Sequence, residues 1–161
     1  ENGAVVSKFS DSTHFALIDS LAPDLLIVSF GTNECHTLKN YSSSFHYTTL
    51  TEFIEQAQAR YPQCLIMLTT PHGAYLRVAR GRYTINRHTP ASVATILKVA
   101  ERYNLPVWDL YNIAGGEKSA CANWMKGEYF RPDKIHFIPE GYVVQGELLA
   151  TAILKAYERF R

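Results

Sequence analysis

At 161 residues, 47% apolar and 19% charged, the chain has the size and composition of one soluble globular domain with enough apolar residues to build a core. Lys and Arg number 16 against 15 Asp and Glu, and the net charge of +1 carries no basic footprint for nucleic acid. No apolar run approaches the roughly 20 residues a membrane helix needs, and the first residues lack the charged and apolar regions of a signal peptide, so a chain opening on Glu1 reads as processed or excerpted.

In chain order, residues 14–21 suggest a short helix, and residues 25–30 (LLIVSF) form the first buried-strand pattern. A Ser-rich loop is expected over residues 37–47. The helix after it carries Leu50, Phe53, Ile54, Ala57 and Tyr61 on one face. A second strand is predicted over residues 65–70 (LIMLTT), with Cys64 read as core, followed by an Arg- and Gly-rich loop over residues 71–89. Thr89 and Pro90 then open a helix as cap and first-turn residue, with Val93, Ile96, Leu97, Ala100 and Tyr103 as its stripe. The third strand is residues 106–111 (PVWDLY). A last helix follows Pro139, with Tyr142, Gln145, Leu149, Ala152, Ile153, Ala156 and Phe160 as its apolar face.

Strands alternating with helices predict an α/β fold, three-layer α/β/α with a mostly parallel sheet of flavodoxin-like type. Three strands are few for such a sheet, which implies completion by upstream strands outside this chain. Both long loops follow the C-terminal end of a strand, where open α/β sheets bind ligands. Cys35, Cys64 and Cys121 show no CxxC spacing, so no structural metal site is expected; Cys35 and Cys121 fall in predicted loops, and a disulfide between them is one option.

Two motifs carry chemistry. The first strand ends in Ser29-Phe30-Gly31-Thr32-Asn33-Glu34, which delivers Asn33 to the sheet edge on a tight turn, a position suited to an oxyanion donor. Taken alone it is equally the signature of an ordinary turn. Near the other end, Asp133 and His136 stand three apart in Pro132-Asp133-Lys134-Ile135-His136-Phe137. A carboxylate there can orient an imidazole and stabilise the imidazolium formed when it takes a proton.

Their combination and order give the sharper reading. Asn2-Gly3-Ala4, then GTNE after an apolar strand, then DKIH before a terminal helix resemble the second, third and fifth sequence blocks of the SGNH (GDSL-like) hydrolase superfamily. The resemblance covers essentially the whole chain. It implies Gly3 and Asn33 as oxyanion donors, His136 as general base and Asp133 as its orienting partner. The first block, a strand running into Gly-Asp-Ser, is missing. Asp11-Ser12 and Asp19-Ser20 follow neither a Gly nor a strand and lie too close to GTNE, so the resemblance implies a nucleophilic Ser supplied by an upstream segment or a second chain.

The finer resemblance is to bacterial peptidoglycan O-acetylesterases. It rests on GTNE, on Trp108-Asp109-Leu110-Tyr111 followed by Gly115-Gly116, and on DKIHF with Gly141-Tyr142 and Gln145-Gly146. Some of those proteins carry a carbohydrate-binding module between the serine and glycine blocks, and a chain opening at Asn2-Gly3 would begin where that insert ends. The implied substrate is an acetylated cell-wall glycan, the location periplasmic or otherwise extracytoplasmic, with no metal or organic cofactor. An acetyl-xylan or lipid acylhydrolase and a non-catalytic flavodoxin-like binding domain stay open as alternatives. His72, after the second strand, and Trp124, before the DKIH turn, are candidate substrate contacts, Trp124 as a sugar-stacking ring. Arg77, Arg80, Arg82 and Arg87 either meet anionic glycan groups or form a solvated loop.

Overall fold

The computed structural model describes residues 3–9 and 12–159. A 3₁₀ turn at Val6–Lys8 precedes α1 (Ser12–Asp19) and β1 (Leu25–Val28), then α2 (Thr32–Cys35), α3 (Ser43–Arg60) and β2 (Leu65–Thr69). A hairpin of β3 (Tyr75–Ala79) and β4 (Arg82–Ile85) follows. After it come α4 (Thr89–Tyr103), β5 (Val107–Trp108), α5 (Leu110–Ile113), α6 (Gly116–Lys126) and α7 (Pro139–Arg159).

The three apolar strands pair as a parallel sheet in the order β1-β2-β5, with Leu25 opposite Leu65 and Leu68 opposite Val107. Alternation along the strands gives the sheet two faces. Val28, Ile66 and Leu68 point to one face and pack with Leu50, Phe53, Ile54 and Ala57 of α3 and Ile96, Val99 and Ala100 of α4, the main core. The other face looks toward α7 across a groove of about 260 Å³ whose lining includes Ile27, Thr69, Trp108 and Leu149. The architecture is therefore α/β with helices on both faces, as the hydropathy pattern implies.

Local chemistry moves several boundaries. The third strand is two residues long, because Asp109 accepts a hydrogen bond from Asn112 N–H and caps α5 where more strand was expected. Ser42 accepts from Phe45 N–H and starts α3 inside the expected loop. The expected loop over residues 71–89 contains the antiparallel β3–β4 hairpin. His88 rather than Thr89 is the cap of α4, whose first turn holds Pro90. The last helix begins at Pro139 itself, and its expected apolar stripe does not bury: among its described residues only Gly141 is buried, and Tyr142 is 51% exposed. Phe160 lies outside the described residues. Cys35 and Cys121 are free thiols buried within α2 and α6, which removes the disulfide option, and Cys64 is half-buried rather than core.

Gly31 is the tightest point between β1 and α4. Its φ is +116°, and a Cβ there would stand 2.9 Å from Ile96 Cδ1 and 3.0 Å from Ser92 Oγ. Gly31→Ala is therefore expected to lower unfolding free energy by about 1–3 kcal/mol, measured by urea denaturation, through overpacking and left-handed strain together.

Candidate active site

The first half of the site stands at the C-terminal end of β1. Glu34 is the third residue of α2, three positions beyond the Gly31 cap, so its side chain can turn back on the helix start. It does so with one oxygen: Oε2 accepts from Gly31 N–H at 2.7 Å. Oε1 accepts from Val6 N–H, also at 2.7 Å. One carboxylate thus ties the segment after Gly3 to the turn after β1. Asn33 adds a second tie, its Nδ2 donating to Ala4 O at 2.7 Å. An amide nitrogen carries two hydrogens, and this bond uses one. Gly3 is exposed with φ of +71°, and Asn2 lies outside the described residues.

The second half is the turn between Phe130 and Phe137, which form an antiparallel bridge and stack with ring centroids 4.8 Å apart. Arg131 N–H donates to His136 O at 2.7 Å, and Lys134 takes a left-handed φ of +57° to complete the turn. Asp133 Oδ1 accepts from the backbone N–H of both Ile135 and His136 at 2.9 Å, and Oδ2 faces His136 Nδ1 at 3.0 Å. Desolvation opposes the charge on Asp133, but the two backbone donors and the imidazole outweigh it and hold its pKa below the ordinary carboxylate value. An ionised carboxylate only accepts, so Nδ1 carries the hydrogen and the lone pair of His136 sits on Nε2. The His136 side chain is 54% exposed, which leaves that nitrogen open to a reactant.

Three aromatic residues support this turn from beneath. His72 follows β2, and its Nε2–H donates to Ile135 O at 2.9 Å while its ring meets Phe137 edge-on at 4.5 Å. The indole N–H of Trp124 donates to His72 O at 2.9 Å. Burial, with a smaller contribution from His136, pushes the His72 pKa down to about 4. His72 is thus neutral at pH 7, with its Nε2–H engaged by the Ile135 carbonyl. Trp124 is 6% exposed among Phe137 and Tyr129, so no ring face is left for the sugar stacking considered from the sequence.

The two halves share one edge of the sheet. β1 and β2 are parallel neighbours, α2 leaves the C-terminal end of β1, and His72 leaves that of β2 to hold the Asp133–His136 turn. His36 stands just past α2. Burial lowers its pKa first, His136 lowers it further and Asp133 opposes. Its Nδ1 is buried with no partner among the described residues. Glu34 and His36 were not identified from the sequence as site residues. The Gly-x-x-Glu spacing contained a signal for Glu34; nothing local pointed to His36. Asp19 of the Asp19-Ser20 pair is bound to Arg60 and, at 2.7 Å, to the Tyr61 hydroxyl, far from a nucleophile's setting. Asp11 lies outside the described residues. Among the described residues no group of His, Cys, Asp and Glu side chains is placed to hold a metal ion.

Glu34→Ala strips the acceptor from two backbone donors, Val6 N–H and Gly31 N–H. It is expected to cost on the order of 3 kcal/mol in denaturant unfolding, with Glu34→Gln losing less. His72 gives a pH signature: a depressed pKa means the unfolded chain binds the proton more readily, so its contribution is intact above the ordinary value of 6.5 and is lost as pH falls toward about 4. Unfolding midpoints measured across that window should fall, and His72→Gln should flatten the decline.

A model of the GDSL-like Lipase/Acylhydrolase family matches residues 2–144. A search of curated proteins finds no match. Among solved structures, the chain is similar to one titled "Peptidoglycan O-acetylesterase in action" (TM-score 0.85, 21% identity), covering 98% of this chain and 45% of that one. It also resembles the lipase/acylhydrolase from Enterococcus faecalis (TM-score 0.65, 23% identity, 94% and 71% covered) and an acetyl xylan esterase (TM-score 0.68, 15% identity, 95% and 78% covered). The chain thus spans less than half the length of the O-acetylesterase structure. With the family model spanning most of the sequence, the chain belongs to the GDSL-like lipase/acylhydrolase family.

Proposed function

We propose that residues 1–161 are the C-terminal part of a single SGNH catalytic domain, the acid/base and oxyanion portion of a serine esterase that removes O-acetyl groups from a cell-wall glycan, with peptidoglycan as the polymer. The observation that carries this reading is the Asp133–His136 pair at 3.0 Å, its basic nitrogen exposed at the same sheet edge as Asn33. The nucleophilic Ser comes from a segment outside this sequence, upstream in the same precursor or on a second chain. The unpaired edge of β1 supports this: among the described residues β1 pairs only with β2, and a groove of about 330 Å³ lined by Phe9, Phe15, Leu26, Val28 and Phe30 runs beside it. The working compartment is the bacterial cell envelope, outside the cytoplasm.

In this mechanism His136 Nε2 takes the proton of the Ser hydroxyl as its oxygen attacks the acetyl carbonyl, and Asp133 stabilises the resulting imidazolium. The second hydrogen of the Asn33 amide and the Gly3 N–H bond the carbonyl oxygen as it becomes negative. The imidazolium then protonates the departing sugar oxygen, leaving an acetyl-Ser. His136 next deprotonates water for attack on that ester, which releases acetate and restores the Ser hydroxyl.

The resemblance to an acetyl xylan esterase favours a second polymer, separated by comparing acetate release from O-acetylated peptidoglycan with that from acetyl xylan. In the complete enzyme, His136→Ala is expected to lower acetate release from O-acetylated peptidoglycan by about 10³-fold or more. Turnover within about tenfold of the parent would overturn the reading.

A further inference from the structure

The β3–β4 hairpin concentrates charge that the rest of the chain lacks. Arg77, Arg80, Arg82 and Arg87 are all exposed, and the sequence contains no Asp or Glu between Glu55 and Glu101. Among the described residues none of the four arginines has a carboxylate within ion-pair distance, although the chain as a whole is nearly neutral at +1. Four exposed guanidinium groups within residues 77–87, on both faces of the hairpin and without a nearby carboxylate, present positive charge that an anion from outside can pair with.

The hairpin is also attached to the catalytic turn. Tyr75 N–H donates to Lys134 O at 3.0 Å, and the Lys134 ammonium lies 5.4 Å from the Tyr75 ring centroid and 4.9 Å from that of Tyr83. Lys134 stands between Asp133 and His136 in sequence, and Arg77 is directly opposite Tyr83 across the hairpin. On the hairpin's other side a groove of about 310 Å³ is lined by Leu38, Leu76, Val78, Ile85, Arg87 and His88. The groove thus joins exposed apolar surface, suited to the carbon face of a sugar ring, with a guanidinium at its rim.

We propose that this hairpin is a basic recognition arm that binds carboxylate groups of the glycan on either side of the scissile acetyl ester, selecting an acidic polysaccharide over a neutral one. The proposal rests on the esterase reading and adds the charge class of its substrate. A planar guanidinium and a carboxylate match in a two-point hydrogen-bonded pair, which explains four arginines where lysines would serve a merely solvated loop.

The test is calorimetric titration of the complete enzyme, with the Ser-bearing segment included, against three probes: oligogalacturonate, a neutral chito-oligosaccharide, and a single-stranded oligonucleotide of matched charge. At about 0.01 M salt the carboxylated sugar is expected to bind at least about tenfold more tightly than the neutral one, and at about 1 M salt the preference should vanish. Combined Arg77→Gln, Arg80→Gln, Arg82→Gln and Arg87→Gln substitutions, all at exposed positions, should reduce oligogalacturonate binding to the neutral level. Arg102→Gln, on α4 beside Glu55, should leave it unchanged. Equal binding of the two sugars, equally tight binding of the oligonucleotide, or an equal loss with Arg102→Gln would each overturn the arm. Because binding is read without turnover, a carboxylate preference in a complete enzyme that releases no acetate would sink the esterase reading alone. Acetate release without that preference would sink the arm alone.

Discussion

The arrangement of the site depends on the carboxylate of Glu34. Segment 3–9 holds one 3₁₀ turn, Val6–Lys8, whose Val6 side chain packs into the main core, and Glu34 ties its backbone to the turn after β1 by accepting from Val6 N–H on one side and Gly31 N–H on the other. Backbone donors in a buried setting need acceptors, and a charged acceptor makes the stronger bond. With that bridge in place, Asn33 and Ala4 come into register and the Gly3 segment is carried to the end of the sheet. Without it, two pieces of chain nearly thirty residues apart would be joined by the burial of Val6 and the Asn33–Ala4 bond alone.

The opposite half is organised by a different physics. Asp133 satisfies the backbone of its own turn and orients the imidazole in the same stroke, while the ring stack of Phe130, Phe137, His72 and Trp124 supports that turn from below. A polar bridge builds one side of the site and an aromatic pile the other. Rigid first-contact groups held by such supporting partners are what acyl transfer requires, since reacting atoms must be kept within fractions of an ångström.

The fold class was legible because parallel strands read as uninterrupted apolar runs, and LLIV and LIMLT pair as those runs imply, although Leu25 and Ile27 of the edge strand stay 38% and 41% exposed. The Asp133–His136 pairing was legible because its partners are three residues apart in one turn. What stayed hidden depends on distant contacts. The β3–β4 hairpin has Arg, Thr and Tyr where a buried strand would be apolar, and its Tyr75 N–H is held by the Lys134 carbonyl nearly sixty residues later. Trp124 is enclosed by rings from other elements, a fact its Gly-flanked sequence neighbourhood does not encode. The last helix has the periodicity of a buried element, yet it is held mainly through its first turn, where Gly141 fits against Phe137 and Tyr129.

That fit at Gly141 separates two mechanical duties. The imidazole of His136 is braced by the aromatic pile and not by the long helix after it, so fraying or bending of the distal turns of α7 leaves the Asp133–His136 geometry in place.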